Sequence, residues 1–594
     1  MKILTKAILS IGMAATVGAA AAQNYAWPEQ YEGVMLQGFY WDSYTDTKWA
    51  NLEAQADELS QFFKLIWIPN SAKSTGGMGY LPVYWFTNHN SAFGSESALL
   101  SMIETYKAKG TGIIADVVVN HRVGSSNWYN FPTETWDGKS WSIGLDGICS
   151  TDEMAKASGQ PKPTGAKDTG DDFDGGRDLD HTNANVQENI KNYCRCLLEK
   201  YGYAGFRYDM VKGYSGEYTK IYNEYAKPTF SVGEYWDNNY SNVVKWIDAT
   251  GKQSAAFDFP LQNSIKTAFK NNSMTSLSTS VSGVYQPAGL LRGDYRRYAV
   301  TFVDNHDTYR DGNRFMGNVP AANAFILCSP GTPCVFLPHW KEYKAEIKRL
   351  INTRNTVGVN NMSEVKVLKR EKTCYMAEVT GTKGVLVVRI GMSDATPEGY
   401  TDADIVAQGD MYAVWTKVKV DHSGIEAENP APKIPSKLYI IGNLSSGSWA
   451  TAKSEEMTRE GNVFIARNVT LSSAKSYFSF VTARGSDWDA VNKHDRYGAM
   501  YNNTPVTFGE AHPMTRTPGD AFAWVYEAGT YDVIADFDHM TMTVTTASSG
   551  IDDVTVDDNA DAVYYNLQGV RIDDPTPGVY IVVRGDKATK EIIR

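Results

Sequence analysis

Eight short apolar runs, separated by stretches with the spacing of amphipathic helices, constrain the fold of this 594-residue chain most strongly. The runs cover residues 33–41, 63–69, 112–120, 204–211, 229–234, 255–259, 298–304 and 334–337. Between the third and fourth runs, residues 184–201 place Val186, Ile190 and Tyr193 on one side of a helix. Strands that alternate with helices form parallel sheets, and eight such units close a barrel. The sequence therefore predicts an α/β fold, a (β/α)8 TIM barrel built from residues 23–121 and 179–358.

The rest of the chain has a different pattern. Residues 122–178, rich in Gly, Asp, Ser and Trp, interrupt the alternation and predict a domain inserted over the barrel. Residues 359–418 alternate like a compact antiparallel β domain, and the polar, proline-containing stretch 419–435 is typical of a linker. A second all-β domain is predicted over 436–547 and a small β tail over 550–594.

Three of the strand runs end in carboxylates. Arg207 and Asp209 lie two residues apart and leave the same face of a strand, so the guanidinium is expected to keep the carboxylate ionised. Glu234 stands beside two aromatic residues, and this apolar setting should raise its pKa and keep it protonated. Asp307 follows the seventh run. A charged and a protonated carboxyl group at the carboxyl ends of barrel strands predict an enzyme that breaks glycosidic bonds.

Composition narrows the class of partner. A net charge of −11 disfavours nucleic acid and anionic lipid, so we expect an uncharged substrate. The 15 Trp and 35 Tyr suit the apolar faces of sugar rings, although ordinary core packing explains most of them. Lys2, Lys6 and an apolar run ending at Val17 predict a secretory signal over residues 1–22, and no later stretch is apolar enough for a membrane span. The mature chain is expected to be exported.

Six cysteines lack the spacings of zinc sites. They are Cys149, Cys194, Cys196, Cys328, Cys334 and Cys374. Buried free thiols are the default expectation. The best candidate pair for a disulfide is Cys328 with Cys334, because the residues between them would turn the chain.

Four stretches, 116–121, 206–213, 233–236 and 302–307, occur in the order typical of the α-amylase family of glycoside hydrolases, family 13. Further stretches at 78–82, 168–173, 178–181, 330–334 and 409–415 resemble the plant and archaeal branch of that family. The resemblance covers roughly residues 31–418. It implies the barrel, an inserted domain that binds calcium, and an antiparallel β domain after the barrel.

The resemblance also implies roles for individual residues. Asp209 would be the nucleophile, Glu234 the general acid and then base, and Asp307 the stabiliser of the transition state. Their proposed neighbours in the substrate site are Tyr80, His121, Arg207, Lys212, Trp236 and His306, with Asp116 as a supporting carboxylate. Tyr80, His121 and His306 would meet the sugar at the cleavage point, and Lys212 and Trp236 the leaving-group side. Retaining chemistry needs the two catalytic carboxyl groups about 5 to 5.5 Å apart.

A structural calcium ion is the implied cofactor. Asn120, Asp168, Asp178 and the carbonyl group of Gly213 match the metal ligands of the family, and Asp172 matches a neighbouring position. Carboxylate and carbonyl oxygens are the ligands that Ca²⁺ prefers. The alternative is a solvated acidic loop.

Two stretches depart from the family pattern. Residues 337–339 read Leu-Pro-His where an Asp before the His is frequent, and Trp85 and Phe86 stand where Asp-Leu is usual. Both departures are expected at the rim of the cleft, where they would change contacts with the sugar.

The C-terminal part carries two further resemblances. Residues 436–547 are similar to β-sandwich starch-binding modules of bacterial outer-membrane starch-utilisation proteins, with Trp449, Trp488 and Lys493 as candidate glucan contacts. A place in the core or a spacer role is the alternative for both tryptophans. Residues 550–594 resemble sorting domains of the type IX secretion route, which implies release or attachment at the outer surface.

These features together predict a secreted, calcium-dependent, monomeric α-amylase that cleaves internal α-1,4 bonds of starch with retention. One alternative is an exo-acting glucosidase or transglycosylase of the same family. The other is a surface glycan-binding protein with an inert barrel.

Overall fold

A computed structural model describes residues 27–127, 129–152, 159–310, 313–427, 434–518, 520–548, 562–566, 570–584 and 587–593. The predicted signal at residues 1–22 lies outside these ranges, as do parts of the predicted linker and tail. The chain divides into two compact units, one ending at residue 431 and the other beginning at residue 432. The finer domain limits stay predictions.

The first unit contains a closed barrel of eight parallel strands. The strands are β1 (Met35–Gln37), β2 (Leu65–Trp67), β3 (Gly112–Val117), β4 (Gly205–Tyr208), β5 (Phe230–Gly233), β6 (Ala255–Phe257), β7 (Ala299–Phe302) and β8 (Thr332–Phe336). They pair in chain order, and β8 closes on β1. Seven strands lie inside the runs predicted from the sequence, and β8 begins two residues earlier than its run. The predicted TIM barrel is confirmed.

Helices connect the strands around the barrel. They are Trp49–Glu53, Ala56–Phe62, Glu96–Ala108, Ala184–Glu199, Gly216–Ala226, Tyr240–Ala249, Phe259–Lys270, Val319–Leu327, Leu337–Glu342 and Lys344–Val357. Ala184–Glu199 is the helix predicted over 184–201. Its N-terminus is capped by the Asn183 side chain, which accepts from two backbone N–H groups, and Val186, Ile190 and Tyr193 are buried as the apolar spacing predicts.

The segment between β3 and the Ala184–Glu199 helix forms small antiparallel pairs. His121–Arg122 pairs with Arg177–Asp178, and Glu134–Trp136 pairs with Lys139–Trp141. The first pair joins the start of the insert to its end. The insert therefore begins and ends at the carboxyl end of β3, the side of a barrel on which active sites lie.

Antiparallel strands follow the barrel. A five-stranded sheet contains Glu364–Arg370, Tyr375–Thr380, Val385–Ile390, Ile405–Gly409 and Tyr412–Thr416. The hairpin formed by Ser278–Val281 and Val284–Pro287 lies earlier in the chain, between β6 and β7.

The second unit is almost entirely β. Its eleven-stranded sheet contains Tyr439–Gly442, Glu455–Glu456, Thr458–Glu460, Val463–Leu471, Ser476–Val481, Asp495–Ala499, Thr504–Pro505, His512–Pro518, Trp524–Tyr526, Gly529–Asp536 and Thr541–Thr546. The described residues of this unit also form the short α-helix Trp488–Val491 and the 3-10 helix Thr451–Lys453. Tyr497 and Phe537 pack with ring centroids 4.9 Å apart. The final strands, Val563–Tyr565, Arg571–Ile572, Gly578–Arg584 and Lys587–Ile593, form a separate four-stranded sheet.

All six cysteines are buried and free, so the default expectation holds and the candidate disulfide between Cys328 and Cys334 is not formed. Among the helices that the structure describes, none has the length and apolarity to cross a bilayer.

Candidate active site

Arg207 on β4 lies at the centre of three carboxyl groups. Its Nη1 lies 2.8 Å from Asp116 and 2.6 Å from Asp209, and its Nη2 lies 2.8 Å from Glu234. Asp116 and Arg207 are register partners on β3 and β4. Because the barrel strands are parallel, acids that follow neighbouring strands meet at one end of the barrel. Asp209 and Glu234, predicted as a pair, are therefore brought together on one guanidinium.

Backbone hydrogen bonds hold the two acids at the strand ends. The N–H of Asp209 donates to Val117 O at 3.0 Å, and the N–H of Glu234 donates to Tyr208 O at 2.9 Å. Met210, in the left-handed region with φ 45°, donates its N–H to Oε2 of Glu234 at 3.1 Å. A strained backbone at such a position is typical of functional sites.

Burial controls the protonation of two of these carboxyls. It raises the pKa of Glu234 to about 8, although the charge of Arg207 acts in the opposite direction. It also raises the pKa of Asp116 to about 7 against the same guanidinium. Glu234 therefore keeps its proton near neutral pH, as the sequence predicts. Burial lowers the pKa of Arg207, but the acidic groups around it raise the pKa by more, so the guanidinium remains charged.

A hydrogen-bonded chain crosses the barrel from β1 to β3. Nε2 of Gln37 lies 3.0 Å from Nδ1 of His306, whose Nε2 lies 2.6 Å from the Tyr80 hydroxyl, and that hydroxyl donates to Asp116 at 3.0 Å. Burial lowers the pKa of His306 to about 4, so the ring is neutral. Nε2 of His306 also lies 3.2 Å from Asp307.

Arg310 and Trp41 belong to this cluster but were not predicted. Arg310 donates to Asp307 at 2.8 Å, and its Cζ lies 3.5 Å from the centre of the Trp41 ring. Trp41 is in turn nearly parallel to Tyr80 and His306. The only signals in the sequence are that Trp41 ends the first apolar run and that Arg310 lies three residues after Asp307.

Three other predicted substrate residues lie around the carboxylates. His121 is buried, and its Nε2 donates to the carbonyl O of Tyr80 at 2.8 Å. Lys212 forms an ion pair of 3.1 Å with Asp171 of the insert. Trp236 is 40% exposed and stacks on Phe259.

The predicted metal ligands converge at the base of the insert. Carboxylate oxygens of Asp168, Asp172 and Asp178 lie within 4.8 Å of one another. Asn120 donates to Asp178 at 3.0 Å, while Oδ1 of Asn120 and Oδ2 of Asp168 are buried and accept no hydrogen bond from a described residue. A Cβ added to Gly213 would lie 1.9 Å from Oδ1 of Asn120, so the Gly213 backbone contacts that oxygen. These oxygen donors fit a Ca²⁺ ion.

The two departures from the family pattern involve buried residues. Trp85 and Phe86 are buried, and their backbone N–H groups donate to the carboxylate of Glu134 at 2.8 and 2.7 Å. His339 is also buried, 3.5 Å from Asp304. These residues pack inside the protein, and their effect on contacts with the sugar stays a prediction.

In the second unit, Trp449 and Trp488 lie side by side. Their ring centroids are 6.2 Å apart, and both rings are partly buried against the core cluster around Tyr439 and Ile441. Lys493 is exposed two residues after the Trp488–Val491 helix. The two tryptophans thus contact the core and keep part of their surface exposed, and their contact with a glucan stays a prediction.

Comparison with known proteins gives two family matches. Residues 64–346 match the α-amylase catalytic domain, and residues 356–416 match the α-amylase C-terminal β-sheet domain. A probable α-amylase 2 of Arabidopsis thaliana is 34% identical over 408 residues, which are 65% of this chain and 94% of that protein. The chloroplastic α-amylase 3 of the same plant is 30% identical, over 64% of this chain and 44% of the relative. A glucan 1,4-α-maltotetraohydrolase of Roseateles saccharophilus is 27% identical, over 72% of this chain and 83% of the relative.

Proposed function

The chain belongs to the α-amylase family of glycoside hydrolases, and we propose that it is a secreted α-amylase that cleaves internal α-1,4 bonds of starch and related glucans with retention. The observation that carries this proposal is the meeting of Asp209 and Glu234 on the guanidinium of Arg207. Both acids contact this cation, and burial raises the pKa of Glu234 to about 8, so that Glu234 keeps its proton. A protonated carboxyl group next to a second acid is what a general acid and a nucleophile require.

The reaction takes place in two displacements. The carboxylate of Asp209 attacks the anomeric carbon while Glu234 gives its proton to the departing glycosidic oxygen, and a glycosyl-enzyme ester forms. Glu234 then takes a proton from water, which attacks the same carbon and releases Asp209. The mechanism requires a separation of about 5 to 5.5 Å between the two carboxyl groups. Their shared contact with Arg207 supports such a short separation.

The surrounding residues hold the sugar. Asp307 and the neutral His306 offer an acceptor and a donor for hydroxyl groups of the ring at the cleavage point, and Tyr80 supplies an aromatic face. We assign His121 to the same ring, and Lys212 and exposed Trp236 to the sugars on the leaving-group side. The enzyme is proposed to act as a monomer.

Calcium is proposed as a structural ion. Asn120, Asp168, Asp178 and the Gly213 carbonyl would hold it, with Asp172 beside them. A bound cation would neutralise part of the negative charge of residues 168–172 and tie the insert to β3 and β4. The buried Oδ1 of Asn120 supports this assignment, because a buried acceptor is costly without a partner.

The C-terminal unit is proposed to bind α-glucan through Trp449, Trp488 and Lys493, and residues 550–594 to direct secretion through a type IX route. Exposed parts of paired tryptophan rings suit stacking on sugar rings. Release or attachment at the outer surface would place the enzyme where starch is available.

The length and anomeric form of products released over time test the proposal. Soluble starch should yield maltooligosaccharides of mixed length from the first minutes, each released as the α-anomer. Glucose alone, or products longer than the substrate, would favour the exo-acting or transglycosylating alternative. An initial β-anomer would exclude retention, and an absence of new reducing ends would favour a glycan-binding protein.

A further inference from the structure

Residues 168–172 of the insert, here called the acidic loop, contact the turn that follows β4. This turn, Val211–Gly213, comes two residues after Asp209. Asp171 donates its N–H to the carbonyl O of Lys212 at 2.9 Å. One residue before it, a Cβ added to Gly170 would lie 2.2 Å from the same oxygen. The two backbones are therefore in contact at a distance that only glycine allows.

A further hydrogen bond fixes the register of the two segments. The N–H of Ser215 donates to Oγ1 of Thr169 at 3.3 Å. The acidic loop thus binds the segment 212–215 at successive positions. Asp171 has a defined place opposite Lys212.

The side chains of this pair also meet. Oδ2 of Asp171 lies 3.1 Å from Nζ of Lys212, and the two side chains are 58% and 33% exposed. Such exposed ion pairs contribute little to folding stability. The pair instead fixes the position of the ammonium group. Without a partner, the four rotatable bonds of the lysine side chain would let this group move.

The held ammonium lies on the side of Glu234. Nζ of Lys212 is 6.0 Å from the centre of the Tyr235 ring, and Tyr235 directly follows Glu234. Asp237 adds a second negative charge near the ammonium. In the proposed mechanism, the proton of Glu234 goes to the departing glycosidic oxygen. The sugars released with that oxygen therefore lie on the same side of the site as the Lys212 ammonium.

We infer that Asp171 is a positioning residue for the leaving-group side: it holds the Lys212 ammonium, together with the Tyr235 ring, where sugars beyond the cleaved bond bind. This inference rests on the proposed function, which assigns Lys212 to that side. It makes Asp171 a determinant of which bond in a glucan is cleaved. The loop that carries the candidate metal ligands would then contribute directly to substrate selection.

The test compares two kinds of substrate in the full-length protein. Maltooligosaccharides of six or seven glucosyl units place sugars on both sides of the cleaved bond, whereas a nitrophenyl maltoside cleaved at the aryl bond places none on the leaving-group side. Asp171→Ala should raise KM for the oligosaccharides about two- to fivefold and shift the preferred bond. kcat and KM for release of nitrophenol should stay unchanged.

Asp174→Asn is the matched control. Asp174 is exposed, lies three residues further along the same segment, and makes no ion pair with a described residue. Lys212→Ala should weaken binding on the leaving-group side at least as much as Asp171→Ala, because it removes both the ion pair and the ammonium that meets the sugar. The double variant should be no worse than Lys212→Ala, because Asp171 acts through Lys212.

Two results would overturn the inference. One is an Asp171→Ala enzyme with the bond preference of the control, and the other is an equal loss on both substrates with a lowered melting temperature. The wild-type enzyme is measured on the same substrates. A wild type that cleaves neither would count against the proposed function and not against the pairing of Asp171 with Lys212.

Discussion

Nη2 of Arg207 lies 2.8 Å from Oε1 of Glu234, and yet the pKa of Glu234 is raised to about 8. Burial of the carboxyl has a larger effect than the guanidinium, because the desolvation of a carboxylate is costly and Arg207 is shared with Asp116 and Asp209. Arg207 therefore holds the proposed nucleophile and the proposed acid on one guanidinium, while burial keeps the proposed acid protonated.

The pH dependence of turnover follows from this arrangement. Glu234 acts as an acid only when protonated, so kcat/KM should fall as pH rises through the pKa of this group, about 8 in the free enzyme. Glu234→Gln should lower kcat about 10²- to 10⁴-fold and remove the alkaline decline. Rates on soluble starch between pH 6 and pH 10 measure both effects. An alkaline decline that persists in Glu234→Gln would assign the titration to another group.

Asp209→Asn should abolish turnover and leave the fold intact. The amide cannot form the glycosyl ester, whereas Arg207 keeps Asp116 and Glu234 as partners. We expect a loss of several orders of magnitude in kcat, with a melting temperature within a few degrees of the wild type. Substantial residual activity in the folded variant would remove Asp209 as the nucleophile.

Arg310→Met should lower kcat more than it raises KM. Arg310 holds the carboxylate of Asp307 at 2.8 Å and lies over Trp41, so its loss frees an acid proposed to act in the transition state. A reduction of about tenfold is expected, and Arg310→Lys should restore part of it. Arg296→Met is the control, because Arg296 pairs with Glu364 in a similar way and contacts none of the proposed catalytic residues. Equal rates for Arg310→Met and this control would contradict the assignment.

Removal of calcium should lower thermal stability. An ion that binds only the folded state adds about 2.7 kcal/mol when its concentration is 100 times its Kd. Calorimetric scans with chelator and with added Ca²⁺ should differ by several degrees in the wild type, and by much less in Asp168→Asn. Identical melting temperatures of the wild type with and without the ion, after metal analysis of both samples, would count against the site.

Binding to starch granules should depend on the second unit. Trp488→Ala in the full-length enzyme should weaken adsorption to granules severalfold and leave the hydrolysis of short oligosaccharides unchanged, because its ring lies beside Trp449 and is proposed to stack on the glucan. Phe508→Ala is a control in the same unit, with an aromatic ring that is 48% exposed. Deletion of residues 436–547 should act in the same direction. A parallel loss of adsorption and hydrolysis would indicate a folding role instead.

The sequence by itself determined the strands and helices of the barrel. It also determined that the acids stand at the carboxyl ends of strands. Strand runs, helical spacing and the positions of Asp209, Glu234 and Asp307 are local properties, and the parallel barrel brings the carboxyl ends of its strands to one side. That is why the barrel and the meeting of Asp209 with Glu234 could be predicted before any coordinate was known.

Only the tertiary structure decided which distant side chains meet. Two contacts join residues that no rule of sequence spacing connects. They are the packing of Arg310 on the Trp41 ring and the ion pair between Asp171 and Lys212. The burial of Trp85, whose backbone N–H donates to Glu134, could not be predicted from the sequence either. Contacts of this kind depend on how loops from different strands close over one another, and that geometry is set by the packing of the whole unit and not by the pattern of any one segment.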